Sequence, residues 1–378
     1  VREYNKQIDR GVGMLQVLRK GITLQGIRVK FVQFKPDMML ANDNQRLYEA
    51  NRFSVVRQMR YSTAPSDKNN ELDLCILCNG LPIITFELKN EATGQTVEHG
   101  INQYRTQRDK NNRMLRACLV HFAMDTNRCY MTTRLDGDKT YFLPFNDYNK
   151  ETDEFNPAIP GNYATSYVWN EILRADSLLN LIQHFIKQIP NKKGGLTTIF
   201  PRFHQLRCVR RLIEDVKEKG VGTNYLVEHS AGSGKSNSMA WLAHQLSNLQ
   251  REDNTPVFDS IIMVTDRIVL DRNIADVIKS FETEAGVVKD IRRGSVNLAK
   301  ALESGHRIIV STVQKFAFAQ EHLRTLAGSR FAVIIDEAHT AMGNEAAKDI
   351  RVTLSSDEQL RNYVENADPD FQSDEDRI

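Results

Sequence analysis

Asp73 and the triplet Glu87-Leu88-Lys89 place two carboxylates and an ammonium group on neighbouring apolar runs. Gly232-Ser233-Gly234-Lys235-Ser236 follows about 150 residues later, and Asp336-Glu337-Ala338-His339 lies further on. The first set suits a hard divalent cation and attack on a phosphodiester. The other two suit a nucleoside triphosphate and its Mg2+. One chain holding both chemistries is a far narrower class than either alone.

Alternate side chains of a strand share a face, so Glu87 and Lys89 project to the same side. With Asp73 on the neighbouring strand, they would bind one or two Mg2+ ions through their carboxylates, water and a phosphate oxygen. The ion would acidify a bound water and stabilise charge on the scissile phosphate. Lys89 would position that water or stabilise the transition-state charge. The hairpin register tests this reading. If Asn79-Gly80 forms a plain two-residue turn, Asp73 falls opposite Phe86 and faces away from Glu87. The metal site therefore requires an odd-length loop or a bulge. Pro82, which cannot donate to the ladder, is a source of irregular pairing. Taken alone, an Asp followed by Glu-x-Lys is common surface charge; the apolar strands and the downstream phosphate loop set it apart.

The apolar run Tyr225–Val227 is expected as a strand leading into the glycine-rich turn, with Ser236 opening a helix through Met239, Ala240, Leu242 and Ala243. Gly232 and Gly234 lack Cβ atoms, so backbone N–H groups around Ser233 can close on phosphate oxygens at the helix N-terminus. Lys235 would reach the β- and γ-phosphates of ATP, and Ser236 would ligate Mg2+. His229 stands where the strict pattern has its first glycine. Asp336 ends the run Phe331–Ile335, at the edge where a parallel sheet meets its ligand. It would hold Mg2+, Glu337 would orient or deprotonate the attacking water, and His339 would couple the site to a neighbouring element. Gln205, upstream in Arg202-Phe203-His204-Gln205, would read adenine through a pair of hydrogen bonds.

These residues need two supporting bodies. With 378 residues, 41% apolar and 26% charged, the chain has the length of two domains and a globular composition. No apolar run approaches the ~18 residues that span a bilayer, so no membrane partner is expected. Five cysteines form an odd, sparse set that suggests a reducing, cytoplasmic setting. Cys75 and Cys78 read as part of a buried strand, not as zinc ligands. The net charge of +2 hides basic clusters at Arg105, Arg108, Lys110, Arg113 and Arg116, and at Arg202, Arg207, Arg210 and Arg211. Either is a solvated face or a phosphate contact.

Strands are expected over Ile27–Phe34, Phe53–Gln58, Leu72–Leu77, Ile83–Lys89, Ala117–Ala123 and Tyr130–Thr133. A Pro-, Gly- and Asn-rich stretch follows, then a helix from Leu178 ending near Pro190, then Lys192-Lys193-Gly194-Gly195 as a hinge. From 196 the pattern becomes strand, loop, helix, with further strands at Ser260–Val264, Arg307–Ser311 and Phe331–Ile335. That is the signature of a helix-covered parallel sheet. After about 343 the chain turns acidic and reads as a loop or disordered end.

Several stretches resemble the restriction subunit of type I restriction enzymes. They are Asn51–Gln58, Glu71–Leu74, Asn79–Lys89 and Phe142–Asn146, with the phosphate loop bearing His229, Val264–Arg267 and Ser311–Phe316. The resemblance covers residues 50–343 and implies an α/β chain: a PD-(D/E)xK-type nuclease domain over 1–160, a helical linker over 161–195, and a RecA-like parallel-sheet P-loop lobe of superfamily 2 type over 196–378. It also implies Asp73, Glu87 and Lys89 as catalytic for DNA cleavage. Gln103 matches the glutamine of a helical Gln-x-x-x-Tyr motif whose tyrosine is here Gln107. Glu3 and Glu49 are both candidates for an assisting early acid. No second motor lobe is visible after His339, so an N-terminal piece with poor ATP turnover is expected. The implied partners are double-stranded DNA and separate modification (methyltransferase) and specificity subunits. Two rivals remain: a superfamily 2 repair or remodelling helicase with a non-cutting nuclease-like domain, and a nucleotide-gated docking module.

Overall fold

In the computed structural model, residues 2–9, 13–35, 42–62, 70–149, 154–157, 159–190, 196–230, 232–265, 277–279, 287–291, 295–312 and 329–336 are described. The chain divides into two compact units, 1–207 and 208–378.

The first unit opens with helices α1 (Arg2–Asp9) and α2 (Gly13–Lys20), the small hairpin β1 (Ile22–Leu24) and β2 (Ile27–Val29), and α3 (Asn42–Glu49). Its centre is a six-stranded sheet in the order β3-β4-β5-β6-β7-β8. These strands are β3 (Phe53–Arg60), β4 (Glu71–Cys78), β5 (Leu81–Leu88), β6 (Val120–Met124), β7 (Cys129–Thr132) and β8 (Leu143–Pro144). All neighbours are antiparallel except β5 and β6. A parallel pair needs a crossover, which α4 (Val97–Thr106) and α5 (Arg113–Ala117) supply. Val97, Gly100 and Tyr104, at helical spacing, form the buried face of α4. They join Leu72, Leu115, Ala123, Leu135 and Phe142 in the core. Gly100 lets the helix approach closely there: a Cβ would lie 3.3 Å from the Ala123 Cβ and 3.4 Å from the Glu87 carbonyl oxygen, tight enough that a neighbour would have to shift. Beyond the sheet come the bridge-like pair β9 (Tyr148–Asn149) and β10 (Glu154–Phe155), helix α6 (Ala175–Asn180) and the antiparallel pair β11 (Lys187–Pro190) and β12 (Leu196–Ile199); α7 (Phe203–Lys219) begins in this unit and continues into the next.

The second unit carries α8 (Lys235–Ser247), β13 (Ser260–Thr265), β14 (Val288–Asp290), α9 (Ser295–Glu303), β15 (Ile308–Thr312) and β16 (Phe331–Ile335). Its four strands are all parallel, in the order β14-β15-β13-β16. Every residue of β13 and β15 is buried, which explains their unbroken apolar runs. Ile262, Val264, Leu298, Leu302 and Ile309 form the core on one face, and α8 packs against β13, β15 and β16.

Four expectations are corrected. Tyr225–Val227 is not a strand: the segment pairs with no strand among the described residues, and Leu226 is 89% exposed. Three apolar residues form a strand only where a neighbour takes their backbone groups and covers their side chains. Ile27–Phe34 is extended into a strand only as far as Val29, and Ala117–Ala123 only from Val120, because α5 runs to Ala117. The helix expected to reach Pro190 ends in a π-helical turn, Leu181–Phe185, after which Lys187 pairs with Ile199. Cys75 and Cys78 are buried on β4, as read from their apolar run. Lys192–Gly195, Asp266, Arg267, Val313–Phe316, Glu337, His339 and the acidic end lie outside the described residues.

Candidate functional site

Asn79 and Gly80 do form a two-residue turn, both with positive φ (49° and 83°), the geometry of a tight hairpin. The pairs nearest the turn are Cys78 with Leu81 and Leu77 with Pro82. The register then shifts, pairing Ile76 with Ile84 and Leu74 with Phe86, so Ile83 is an extra residue. One step further along, Asp73 stands opposite Glu87. The bulge required by the sequence reading is present, beside Pro82.

Asp73, Glu87 and Lys89 consequently meet at one end of β4 and β5. The Asp73 Oδ2 accepts the Leu88 N–H at 2.7 Å, and the Lys89 Nζ lies 3.7 Å from the same oxygen. The Glu87 side chain is fully buried. Its Oε1 accepts from the Arg108 Nε at 2.6 Å, and the Arg108 Nη2 donates to the Glu71 carbonyl at 2.7 Å. Burial pushes the Glu87 carboxyl up to about 7, the Arg108 guanidinium pulling the other way and the Asp73 charge adding to the rise. Behind it, Thr85 Oγ1 bonds Tyr104 Oη and His121 Nδ1, each at 2.7 Å. Burial, together with the nearby Glu87 charge, raises the Tyr104 phenol well above its ordinary value.

Oε2 of Glu87 is buried and has no hydrogen-bond partner among the described residues. A buried carboxylate oxygen left in that state costs about 1–3 kcal/mol. With Asp73 at its side, the donor set is hard oxygen, which fits Mg2+. Asp73, half-exposed, gives the pair an approach from solvent.

Arg108 is the residue that sequence reading missed. Within its basic cluster it reads as a solvated face or a phosphate contact, yet its side chain is 2% exposed. The rest of that cluster divides: Arg105 Nε donates to the Thr140 carbonyl at 3.0 Å, and Lys110 pairs with Asp136 at 3.1 Å. The available signal was spacing: Val97, Gly100, Tyr104 and Arg108 repeat at three and four residues, so Arg108 continues the buried face of α4. Gln103 sits on α4, partly buried, one residue from Tyr104. Of the two early acids, Glu49 accepts from Gln45 at 2.7 Å on an exposed helix and Glu3 pairs with Lys6 at 3.7 Å. On the edge strand, β3 pairs with β4 on both sides of Asp73 but not at it: Arg57 faces Leu74, Met59 faces Leu72, and Gln58 between them takes φ 48°.

In the second unit the glycine-rich turn has the backbone its sequence demands. Gly232 and Gly234 take φ 74° and 87°, a region closed to most side chains. Gly234 is the N-cap of α8, whose first residues are Lys235 and Ser236. The first-turn amides of a helix have no carbonyl partner within it and carry partial positive charge. Ser233 is buried in the turn, its N–H donating to the Ser230 carbonyl at 3.2 Å. Asp336 follows the last residue of β16, and its N–H donates to the Val264 carbonyl at 2.9 Å. It therefore stands at the carboxyl ends of β13 and β16, on the sheet that α8 covers. In the first unit, Gln205 is buried, and its Oε1 accepts the Arg202 N–H at 2.9 Å at the start of α7.

The chain thus carries a carboxylate pair on a bulged hairpin and, in its second unit, a glycine-rich loop at the start of a helix that covers a parallel sheet. Residues 2–140 match the family described as the type I restriction enzyme R protein N terminus, and residues 204–360 match the SWI2/SNF2 ATPase family. Relatives include the putative type I restriction enzyme MjaIXP endonuclease subunit of Methanocaldococcus jannaschii, 25% identical across 75% of this chain and 28% of the relative. The type I restriction enzyme HindI endonuclease subunit of Haemophilus influenzae is 26% identical across 83% of this chain and 30% of the relative. The SauCOLORF180P endonuclease subunit of Staphylococcus aureus is 25% identical across 76% and 29%. The chain is thus a relative of the R protein of type I restriction enzymes along both units, as its motifs implied. It spans about 30% of the length of these relatives. The SWI2/SNF2 match and the four-stranded parallel sheet agree on a RecA-like second unit.

Proposed function

We propose that the chain is part of the restriction subunit of an ATP-dependent type I DNA restriction enzyme. In this reading residues 1–160 form a PD-(D/E)xK-type endonuclease domain, 161–195 a helical linker and 196–378 the first motor lobe. The observation that carries it is the convergence of Asp73, Glu87 and Lys89 at the ends of β4 and β5, with a buried Glu87 oxygen that no described donor satisfies. Asp73 and Glu87 would hold Mg2+, which when bound supplies an acidified water and charge neutralisation at the scissile phosphate. Lys89, beside Asp73, would orient that water or stabilise the developing charge, and Gln103 would assist from α4.

ATP would bind the loop from Gly232 to Ser236. Lys235 would contact the β- and γ-phosphates, Ser236 and Asp336 would hold the nucleotide's Mg2+, and Gln205 would read adenine. Glu337 and His339 would complete the hydrolytic set. ATP hydrolysis would drive double-stranded DNA past a complex in the cytoplasm. Separate modification and specificity subunits would supply methylation and site recognition.

The test compares wild type with Glu87→Ala in the full-length protein with its methyltransferase partners, on circular DNA carrying a recognition site. The expected result is loss of cleavage with ATP hydrolysis retained. Unchanged cleavage would remove Glu87 from the catalytic set. The N-terminal domain would then return to the docking reading.

A further inference from the structure

Among the described residues, Arg108 is the charged group that pairs with Glu87 from outside its own hairpin, and its contact is selective. Nε binds Oε1 at 2.6 Å, Nη2 binds the Glu71 carbonyl at 2.7 Å, and Oε2 is engaged by no donor among the described residues. The guanidinium therefore ties Oε1 of Glu87 to the first residue of β4 and leaves the other carboxylate oxygen for another ligand. A rigid fork can satisfy a carboxylate and a carbonyl at once, which a lysine ammonium on a flexible stem does poorly. Arg108 reaches the site because α4 approaches closely at Gly100 and the chain leaves the helix immediately after Thr106.

We propose that Arg108 is a positioning residue: it holds Glu87 through Oε1 so that Oε2 is presented, preorganised, to the divalent ion shared with Asp73. This rests on the nuclease reading above. Outer partners that orient metal ligands are worth about 10- to 100-fold in metal affinity. An opposing reading of the same contact is a latch, in which the guanidinium competes with the ion for the carboxylate. The two predict opposite signs.

The experiment titrates Mn2+ into the full-length protein and follows bound ion by electron paramagnetic resonance, with the half-saturating Mg2+ for DNA cleavage as a second readout. Asp73→Asn, Arg108→Gln and Arg108→Lys are compared with wild type, and circular dichroism with chemical denaturation reports on folding. Positioning by Arg108 is expected to show as Mn2+ binding weakened about 10- to 100-fold in Arg108→Gln, with half-saturating Mg2+ raised in parallel. Arg108→Lys, which keeps the charge and the fold, is expected to fall between. Tighter or unchanged Mn2+ binding in Arg108→Lys, with Asp73→Asn defective, would overturn the positioning role while leaving the nuclease reading intact. If Asp73→Asn leaves Mn2+ binding unaltered, the metal site is not where that reading puts it, and both fall.

Discussion

Leu74 lies opposite Phe86, not Thr85, and that shift of one residue turns Asp73 onto the face that Glu87 occupies. A plain continuation of the Asn79-Gly80 hairpin would have sent the two carboxylates to opposite sides of the sheet. The extra residue, Ile83, is itself fully buried, so the bulge is held by packing as well as by the missing Pro82 N–H.

The shared face makes Asp73 and Glu87 act as a unit. Asp73→Asn is expected to abolish DNA cleavage by the full-length protein while ATP hydrolysis continues, measured on supercoiled DNA and by phosphate release. Glu87→Ala should also cost stability, about 3–5 kcal/mol, because it strands the buried Arg108 charge. Chemical denaturation of both variants separates the effects: Asp73 is half-exposed, so its replacement should leave the midpoint nearly unchanged.

The left-handed backbone at the glycine-rich turn sets the second prediction. At Gly232 an added Cβ meets nothing within 4 Å, so Gly232→Ala is strained by its φ of 74° alone. A stability loss of roughly 1–2 kcal/mol is expected, together with weaker nucleotide binding. Lys235→Ala should lose nucleotide affinity without a comparable loss of stability, since Lys235 is only partly buried. Fluorescent-nucleotide titration and thermal melts distinguish the two.

His121 gives a pH dependence of known sign. Its imidazole is fully buried against Thr85, and burial lowers its pKa from 6.5 to about 3. The unfolded chain therefore takes up a proton below about pH 6.5 that the folded chain refuses until near pH 3. The contribution is intact above pH 6.5 and is lost progressively as pH falls towards 3. His121→Gln should be less stable at pH 7 but flatter between pH 6.5 and 5, read from urea midpoints across that window.

Arg19 closes the π-helical turn Leu181–Phe185. Its Nε and Nη2 donate to the carbonyls of Ile182 and Ile186 at 2.6 and 2.7 Å. Arg19→Met keeps the buried stem but leaves two carbonyls without their donor. A loss of about 2–4 kcal/mol is expected, measured by chemical denaturation, with nucleotide affinity unchanged.

What the sequence determined by itself was chemistry and local geometry. The glycine-rich turn, the buried β13 and β15, the run ending at Asp336 and the need for a bulge between Asp73 and Glu87 all follow from short-range rules: side-chain period, missing N–H groups and positive φ. Those rules act over a few residues, so they are legible there. The resemblance to type I restriction subunits came from the same stretches.

Tertiary structure decided which groups meet across distance. The three- and four-residue spacing from Val97 to Arg108 sets Arg108 apart from Arg105 and Lys110, but it does not name the partner. The close approach of α4 at Gly100 to Glu87 of β5 and Ala123 of β6 accompanies the burial of one arginine on Glu87, while Arg105 and Lys110 lie nearer the surface. Tyr225–Val227 shows the converse: strand-forming residue types remain exposed where no strand among the described residues takes up their backbone groups. Burial and pairing are properties of the whole fold, and a side chain's charge state and partners follow from them.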